Sequence, residues 1–366
     1  SDVYKRQDMD LMLFDQVIVF DHFRQKVLLI TGVMTDDLEA SYEKAVKKLE
    51  EMAQLSRHFT RERFGNVVSL YIPMYVTNAC TNKCVYCGFN FDNKMPRTIL
   101  TMEQVEAECK AIKKLGPFEN ILIVTGEWPS KCGVDYLENV LQVCRPYFHN
   151  MTIEVMPLRS SQYERLTHSG LNGVVCFQET YHRESYRKYH PWGMKSHYEW
   201  RLNGYDRMGD AGVHKIGLGV LLGLEDWQPD VVMMARHLRY LQKKYWRSRY
   251  SVNFPRMRPS ESGYQPKSII SDRELVKLTC AFRIFDHDVD ISFSTREAPE
   301  YRNHIFPLGV TSLSAGSKTE PGGYCSTPEA LEQFEVSDER TPAEVIEAIA
   351  AGGYQPVWKD WDSVFD

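Results

Sequence analysis

The run Val67-Val68-Ser69-Leu70-Tyr71-Ile72-Pro73-Met74-Tyr75-Val76 leads within four residues into Cys80-Thr81-Asn82-Lys83-Cys84-Val85-Tyr86-Cys87. The first is an apolar, strand-like segment. The second places three thiols at offsets of four and three, close enough for a short loop to turn all three toward one soft metal centre. A structural zinc site is closed by four ligands, and a protein-held iron–sulfur cluster by four cysteines. Here no fourth Cys or His follows within twenty positions; the nearest, Cys109, falls on a helical pattern. A cubane cluster held by Cys80, Cys84 and Cys87 would leave one iron open to another ligand. A zinc knuckle, or thiols unrelated in function, is the competing reading of the same spacing.

Beyond the loop, short runs rich in Val, Ile and Leu alternate with helical patterns to about residue 315. The strand candidates are Val67–Val76, Asn120–Thr125, Thr152–Met156, Gly173–Gln178, Lys215–Val220, Tyr250–Phe254, Asp290–Phe293 and Val310–Leu313. Thr101 with Gln104 and Ser271 with Glu274 fit capping boxes at helix starts. Eight strands separated by helix-length crossovers predict an α/β fold, a (β/α)8 TIM-type barrel, with an open doubly wound sheet as its competitor. Thr35–Thr60 predicts a helix, with Leu38, Tyr42, Ala45, Val46, Leu49, Met52 and Ala53 at three- and four-residue steps, serving as lid or buttress. Pro321-Gly322-Gly323 ends the barrel region, and Thr341-Pro342-Ala343-Glu344 opens a last helix. The expected division is a helical extension over 1–60, the barrel over 61–325, and a C-terminal helix and tail over 326–366. The tail Trp358–Phe365 holds Trp358 and Trp361 among acids and is expected to fold back onto the barrel or to dock a partner.

Composition is that of a globular chain, 43% apolar and 25% charged, and a net charge of −5 gives nucleic acid no electrostatic encouragement. No stretch approaches the eighteen unbroken apolar residues of a membrane span. No secretory signal is visible. Nine cysteines, six of them scattered singly outside the loop, predict reduced thiols in the cytoplasm, not a disulfide framework. The chain opens Ser1-Asp2-Val3-Tyr4 without an initiating Met, so its first thirty residues carry no weight in assigning the fold.

A barrel gathers the C-terminal ends of its strands around one mouth, and polar residues recur at that position. After the second strand come Thr125-Gly126-Glu127, where Gly lets backbone approach a ligand and Glu can meet an ammonium group. Glu154 lies in the third strand, facing either a ribose diol or Arg159. The fourth ends in the polar cluster Gln178-Glu179-Thr180-Tyr181-His182. Gly217 and Gly219 in the fifth either let an adenine ring lie on the backbone or serve a close strand–helix contact. The sixth leads into Arg256-Met257-Arg258, and the seventh into Ser294-Thr295-Arg296-Glu297. Arg suits two parallel hydrogen bonds to a carboxylate, so Arg296 with Ser294 forms a candidate amino-acid clamp, against a plain Arg296–Glu297 pair. Ser314 and Ser317 add donors.

Cys-x3-Cys-x2-Cys with an aromatic, Tyr86, before the last Cys closely resembles the signature of the radical S-adenosylmethionine (SAM) enzymes. The resemblance implies a 4Fe-4S cluster on Cys80, Cys84 and Cys87 and SAM chelating the open iron. Thr125-Gly126-Glu127 is similar to that family's Gly-Gly-Glu segment for the SAM amino group, with Thr125 in place of the first Gly. From about Arg61 onward the chain resembles the 2-iminoacetate synthases, tyrosine lyases of anaerobic thiamine biosynthesis. The matching pieces include Arg63-Phe64-Gly65-Asn66, the cysteine loop, Leu122–Glu127, Gln178–His182, Lys215–Gly219, Arg249–Pro259, Ser294–Glu297, Ser317–Gly323 and Gln355–Ser363. That resemblance implies cleavage of the Cα–Cβ bond of L-tyrosine to 2-iminoacetate and p-cresol. It further implies a flavodoxin or ferredoxin as electron donor and the thiazole synthase as partner. Gln178, Glu179 and Arg256 join Arg296 and Ser294 as candidate catalytic residues; for the phenol proton, His182, Tyr181, Arg256 and Glu297 stay open. The related tyrosine lyase of hydrogenase cofactor assembly is less expected, because that family adds a second cysteine motif and here only Cys280 and Cys325 come late. Tryptophan lyases and deazaflavin synthases share the barrel and should differ around Arg256–Arg258 and Ser294–Arg296.

Overall fold

A computed structural model describes residues 16–21, 26–31, 38–325 and 332–359. Eleven strands are seen: β1 (Gln16–Asp21), β2 (Lys26–Thr31), β3 (Val67–Thr77), β4 (Asn120–Thr125), β5 (Asn150–Glu154), β6 (Gly173–Glu179), β7 (Lys215–Val220), β8 (Arg249–Asn253), β9 (Asp290–Phe293), β10 (Ser312–Ser314) and β11 (Gln355–Val357). Strands β3 to β10 pair in chain order, all parallel, and β10 returns to β3 through Ser312–Ser69 and Ser314–Tyr71. The sheet therefore closes as a barrel, and the open sheet is excluded. Each of the eight expected strands is present, with no end moved by more than two residues, and β11 adds beside the first residues of β3.

Period-two alternation in β3 explains where the core sits. Val68, Leu70, Ile72, Met74 and Val76 are all fully buried against the surrounding helices. Ser69, Tyr71, Pro73 and Tyr75 point the other way and line an open lumen. The same division holds in Thr152 and Glu154, Ser251 and Asn253, and Ser292 and Ser294, all on the lumen. A TIM barrel ordinarily fills its interior with branched apolar side chains. This one sets hydroxyls, amides and charges beside Leu122, Val175 and Phe177 around an open space, so the close-packed apolar core is the shell between strands and helices.

The helix starts follow the expected chemistry. Thr101, Ser271 and Thr341 each cap with their own hydroxyl and receive the side chain of Gln104, Glu274 and Glu344 in return. The predicted N-terminal helix spans Leu38–Phe64, four residues past the expected boundary. Phe59 stacks on His287 at 3.7 Å and Arg63 reaches Asp288 at 2.5 Å, both just before β9. That is the end of the barrel opposite the mouth, so the helix is a buttress and not a lid. The segment before it is not wholly helical: β1 and β2 form an antiparallel hairpin. Their apolar runs, Val17–Phe20 and Val27–Ile30, carry the β-branched residues that favour strands. Trp358 packs edge-on against Phe118 at 4.7 Å, and its carbonyl accepts from Glu119 N at 3.1 Å, anchoring the chain after β11 to the barrel. The rest of the tail, Trp361 included, lies outside the described residues.

Candidate active site

The loop after β3 brings Cys80, Cys84 and Cys87 into one cavity at the barrel mouth. Thr125, Gly126 and Glu127 after β4, Glu154 of β5 and Glu179 of β6 share it. Burial pushes the Cys80 thiol up to about 11 and raises Cys84 and Cys87 as well, the latter two opposed by Lys195. Thiols held protonated by burial are deprotonated when a cation takes the proton's place, so the pocket suits a positively charged thiophilic centre. Among the described residues no three Cys, His, Asp or Glu side chains close on a point where a single ion would sit. The three thiols line one wall of the cavity.

Around the thiols the charges are already paired. Glu127 accepts from Arg201 at 3.0 Å and from Asn82 Nδ2 at 2.6 Å, while its carbonyl accepts from Thr81 N at 2.9 Å. Burial pushes the Glu127 carboxyl up, but Arg201 and Lys195 prevail and hold it below its ordinary range. Lys195 donates to Glu179 at 2.6 Å. Glu179 sits at φ 70°, the one non-glycine in left-handed space among the described residues, just after a bulge in the β6–β7 pairing. His190 faces the Tyr186 carbonyl through Nδ1 at 2.9 Å, which places the ring proton there and leaves Nε2 to accept from Tyr86 at 2.9 Å. Burial holds His190 well below its usual pKa, so the ring is neutral. Tyr86 is thereby fixed at the cavity edge.

Two glycine expectations change. A side chain at Gly126 would collide with the Ala79 carbonyl, and Gly126 N donates to Thr77 O at 2.9 Å. The close approach that demands glycine is that of the cysteine loop itself. Gly217 faces the lumen, where a Cβ would meet Val175 Cγ2 at 2.8 Å and Ser251 Oγ at 3.0 Å. Gly219 does not open on either chamber; the Phe177 ring fills the place its Cβ would take. Its partner is a neighbouring strand's side chain, neither adenine nor a helix.

Arg296 stands where the thiol cavity meets the lumen and lines both. Its guanidinium lies 3.3 Å above the centre of the Phe334 ring. Among the described residues it makes no ion pair and no side-chain hydrogen bond. The expected alternative, a pair with Glu297, is not formed, because Glu297 is held by Arg256 and by Arg258 at 3.2 Å. Arg256 is further tied to Asp272 at 2.6 Å. That corrects the expectation of a catalytic Arg256: both sides of its fork are engaged in building the wall. Glu154 likewise has no pair. Arg159 is exposed at the start of helix Ser160–His168, and burial, opposed first by Arg296, raises the Glu154 carboxyl to about 7. Ser294 Oγ accepts from Arg296 N at 3.4 Å, and Ser317 bonds Ser314 at 3.1 Å on the same wall.

Gln178 is corrected too. It lies between the cavity-facing Phe177 and Glu179, is fully buried, lines neither chamber, and neither amide atom has a partner among the described residues. Tyr181 turns away to His237 at 3.0 Å, and His182 caps a helix at the surface. Sequence reasoning missed Asn82, Lys195, Arg201, Gln333 and Phe334. Asn82 could have been suspected from its place inside the motif. The others carry no local signal. Residues 332–338 form a strap over the mouth: Gly88 N bonds Gln333 O at 3.2 Å, Glu335 N bonds Pro259 O at 3.1 Å, and Ser337 N bonds Thr295 O at 3.0 Å.

Comparison with known proteins agrees with this geometry. Residues 74–235 match the Radical SAM superfamily, and residues 253–355 the Biotin and Thiamin Synthesis associated domain. The chain is 46% identical over 341 residues to a 2-iminoacetate synthase of Salmonella typhimurium, covering 93% of this chain and 90% of that one. It is 45% identical to that of Escherichia coli over the same coverage. Among solved structures, HydG, a maturase of the [FeFe]-hydrogenase, superposes with a TM-score of 0.81 at 32% identity, covering 85% of this chain and 69% of that one. Methylornithine synthase shares the fold, with a TM-score of 0.69 at 20% identity, covering 85% of this chain and 90% of that one.

Proposed function

The chain belongs to the 2-iminoacetate synthase family of the radical SAM superfamily, and on that premise we propose how its residues carry out tyrosine cleavage. It is a carbon–carbon lyase that breaks the Cα–Cβ bond of L-tyrosine, giving 2-iminoacetate and p-cresol for thiazole formation in thiamine biosynthesis. When bound, a 4Fe-4S cluster and SAM supply the 5′-deoxyadenosyl radical that takes a hydrogen atom from the tyrosine amino group.

Cys80, Cys84 and Cys87 hold the cluster. Glu127, kept ionised by Arg201 and Asn82, receives the SAM ammonium on its remaining lone pairs, and the unpartnered buried Thr125 hydroxyl lies beside it. Glu154 receives the ribose diol. Arg296, with Ser294, fixes the tyrosine carboxylate at the junction of the two chambers, so the amino group faces the SAM side and the ring enters the lumen. The observation that carries this reading is the enclosed guanidinium of Arg296, a cation on the cavity wall that forms no ion pair among the described residues. Arg256, Arg258 and Glu297 keep the lumen wall rigid, and the strap of 332–338 restricts water, which would hydrolyse the imine. A flavodoxin or ferredoxin supplies the electron, the thiazole synthase takes the product, and the setting is the cytoplasm; no helix among the described residues is long and apolar enough to cross a membrane. The test is anaerobic: reconstituted protein, SAM, dithionite and tyrosine must yield p-cresol and 5′-deoxyadenosine together. Protein that takes up zinc but no iron and sulfide would refute the reading.

A further inference from the structure

One segment of chain lies directly against the cysteine loop. Residues 189–195 run alongside it: Val85 N bonds Tyr189 O at 3.1 Å, Lys83 N bonds Trp192 O at 3.2 Å, and Lys195 N bonds Asn82 Oδ1 at 3.0 Å. On the loop's own far side, Phe91 N bonds Asn82 O at 2.9 Å. The two segments that flank Asn82 and Lys83 expose three large apolar side chains, Trp192 at 65% and Met194 at 42% on one and Phe91 at 48% on the other. Nothing in the catalytic reading requires them to face water. Leaving such a group uncovered is unfavourable, and grouped exposed aromatics mark contact surfaces.

Charge singles out the same place. Residues 83–97 and 183–195 together hold seven basic side chains, Lys83, Lys94, Arg97, Arg183, Arg187, Lys188 and Lys195, against two acidic ones, Asp92 and Glu184, in a chain of net charge −5. Lys195 is committed to Glu179, Lys83 to Asp92 and Arg183 to Glu199. Arg187 and Lys188 are exposed on helix Arg183–Tyr189, which ends one residue before the His190 that holds Tyr86. An acidic protein repelled by the chain as a whole would be steered to this face.

We propose that the Trp192–Met194–Phe91 patch, with Arg187 and Lys188 at its rim, is the docking surface for a small acidic flavoprotein that reduces the cluster. The proposal rests on the assignment of the cluster to Cys80, Cys84 and Cys87. The apolar patch receives the exposed edge of the flavin ring, and the basic rim receives the surrounding carboxylates. One electron leaves the anionic flavin hydroquinone, which becomes the neutral semiquinone, and enters the iron–sulfur centre; no proton crosses the interface.

Stopped-flow mixing of the reconstituted enzyme with flavodoxin hydroquinone reads the bleaching of the cluster absorbance. Trp192→Ala and the double variant Arg187→Glu/Lys188→Glu should each slow it about tenfold, while reduction by dithionite stays at the parent rate. Trp246, exposed just before β8 at the opposite end of the barrel, supplies the control: Trp246→Ala should leave both rates unchanged. The parent rate should fall as salt is added. Patch variants reduced by flavodoxin at the parent rate would overturn the docking assignment. A parent that forms no reducible cluster would instead overturn the assignment of the cysteines. Patch variants that lose only their association with thiazole synthase would show a different occupant and also overturn it.

Discussion

The two chambers of the barrel mouth handle charge in opposite ways. Beside the cysteines two buried carboxylates have counter-charges in the chain: Glu127 with Arg201, Glu179 with Lys195. At the entrance to the lumen, Arg296 and Glu154 face the cavity with no ion pair. The first arrangement is complete before any ligand arrives and holds loops from β3, β4 and β6 in register. The second has no ion pair among the described residues. Burying an unpaired charge costs stability, a cost that falls on Arg296 and Glu154 and not on Glu127 and Glu179.

The largest effects should come from the thiols. Cys80→Ala, Cys84→Ala and Cys87→Ala should each abolish the cluster, or leave one unable to bind SAM, by iron and sulfide analysis. Cys109→Ala and Cys144→Ala, which remove a buried thiol pair 3.7 Å apart on the outer shell, should not. Loss of iron in Cys109→Ala would mean a fourth protein ligand. Next comes the paired side: Arg201→Met strands Glu127 and should cost about 3–5 kcal/mol of stability in the cofactor-free protein, read by chemical denaturation. If it costs less than the substitution of Arg296, the contrast between the chambers fails.

Arg296→Ala should behave in reverse. With no ion pair to break and a buried charge removed it should not lower stability, yet it should lower kcat/KM for tyrosine by roughly 30- to 1,000-fold, the equivalent of about 2–4 kcal/mol. Arg296→Lys loses the planar fork and should rescue little. Uncoupled SAM cleavage should persist, because Glu127 and the cysteines are untouched. Tyrosine affinity within about threefold of the parent would end the clamp assignment.

Glu154 gives a pH signature. Its folded pKa is raised to about 7, so its contribution to stability is fully present below the ordinary carboxylate range and is lost as pH rises through 7. Glu154→Gln should therefore flatten the decline between pH 5 and 8 and exceed the parent at pH 8 by about 1–2 kcal/mol in the apoprotein. A parent stability that climbs through that window would contradict the assignment. The smallest effect concerns Gln333, whose Nε2 donates to Cys87 Sγ at 3.8 Å while its Oε1 accepts from Tyr75 at 2.7 Å. Gln333→Leu removes one donor from a thiolate and should make the cluster potential more negative by ~20–60 mV, taking about 0.5–1.5 kcal/mol for one hydrogen bond. Potentiometry followed by electron paramagnetic resonance would measure it.

The paired side was legible in the sequence only by half. The thiols and Glu127 announce themselves because their spacing, or their place after a strand, is local information. Arg201, 74 residues from Glu127, is not, since no periodicity connects them. Gln178 was misjudged because its polarity was weighed and its parity was not: Phe177 and Glu179 face the cavity, so the residue between them turns outward. Gly219 was misjudged because its reason, the Phe177 ring, becomes visible only once the β6–β7 register sets the two side by side. Arg296 stands out in the sequence by its place after the seventh strand, but whether it pairs with Glu297 depends on Arg256 and Arg258, about forty residues earlier.

The strap also sets an order of events. Gln333, whose side chain reaches Cys87, follows it in the chain by 246 residues. At about 5–20 residues per second that interval lasts roughly 12–50 s on the ribosome, and β10, which closes the barrel, comes only shortly before the strap. For that time the cysteine loop exists without its roof. Iron and sulfide delivered then would reach the loop before residues 332–338 bond across it. Gly88 is the point at which to loosen it, since a Cβ there would meet Gln333 O at 2.6 Å and Glu332 O at 2.8 Å, both backbone atoms. Gly88→Ala should therefore load faster as a finished apoprotein and lose its cluster faster to a chelator; equal rates of both would show that the roof is no barrier.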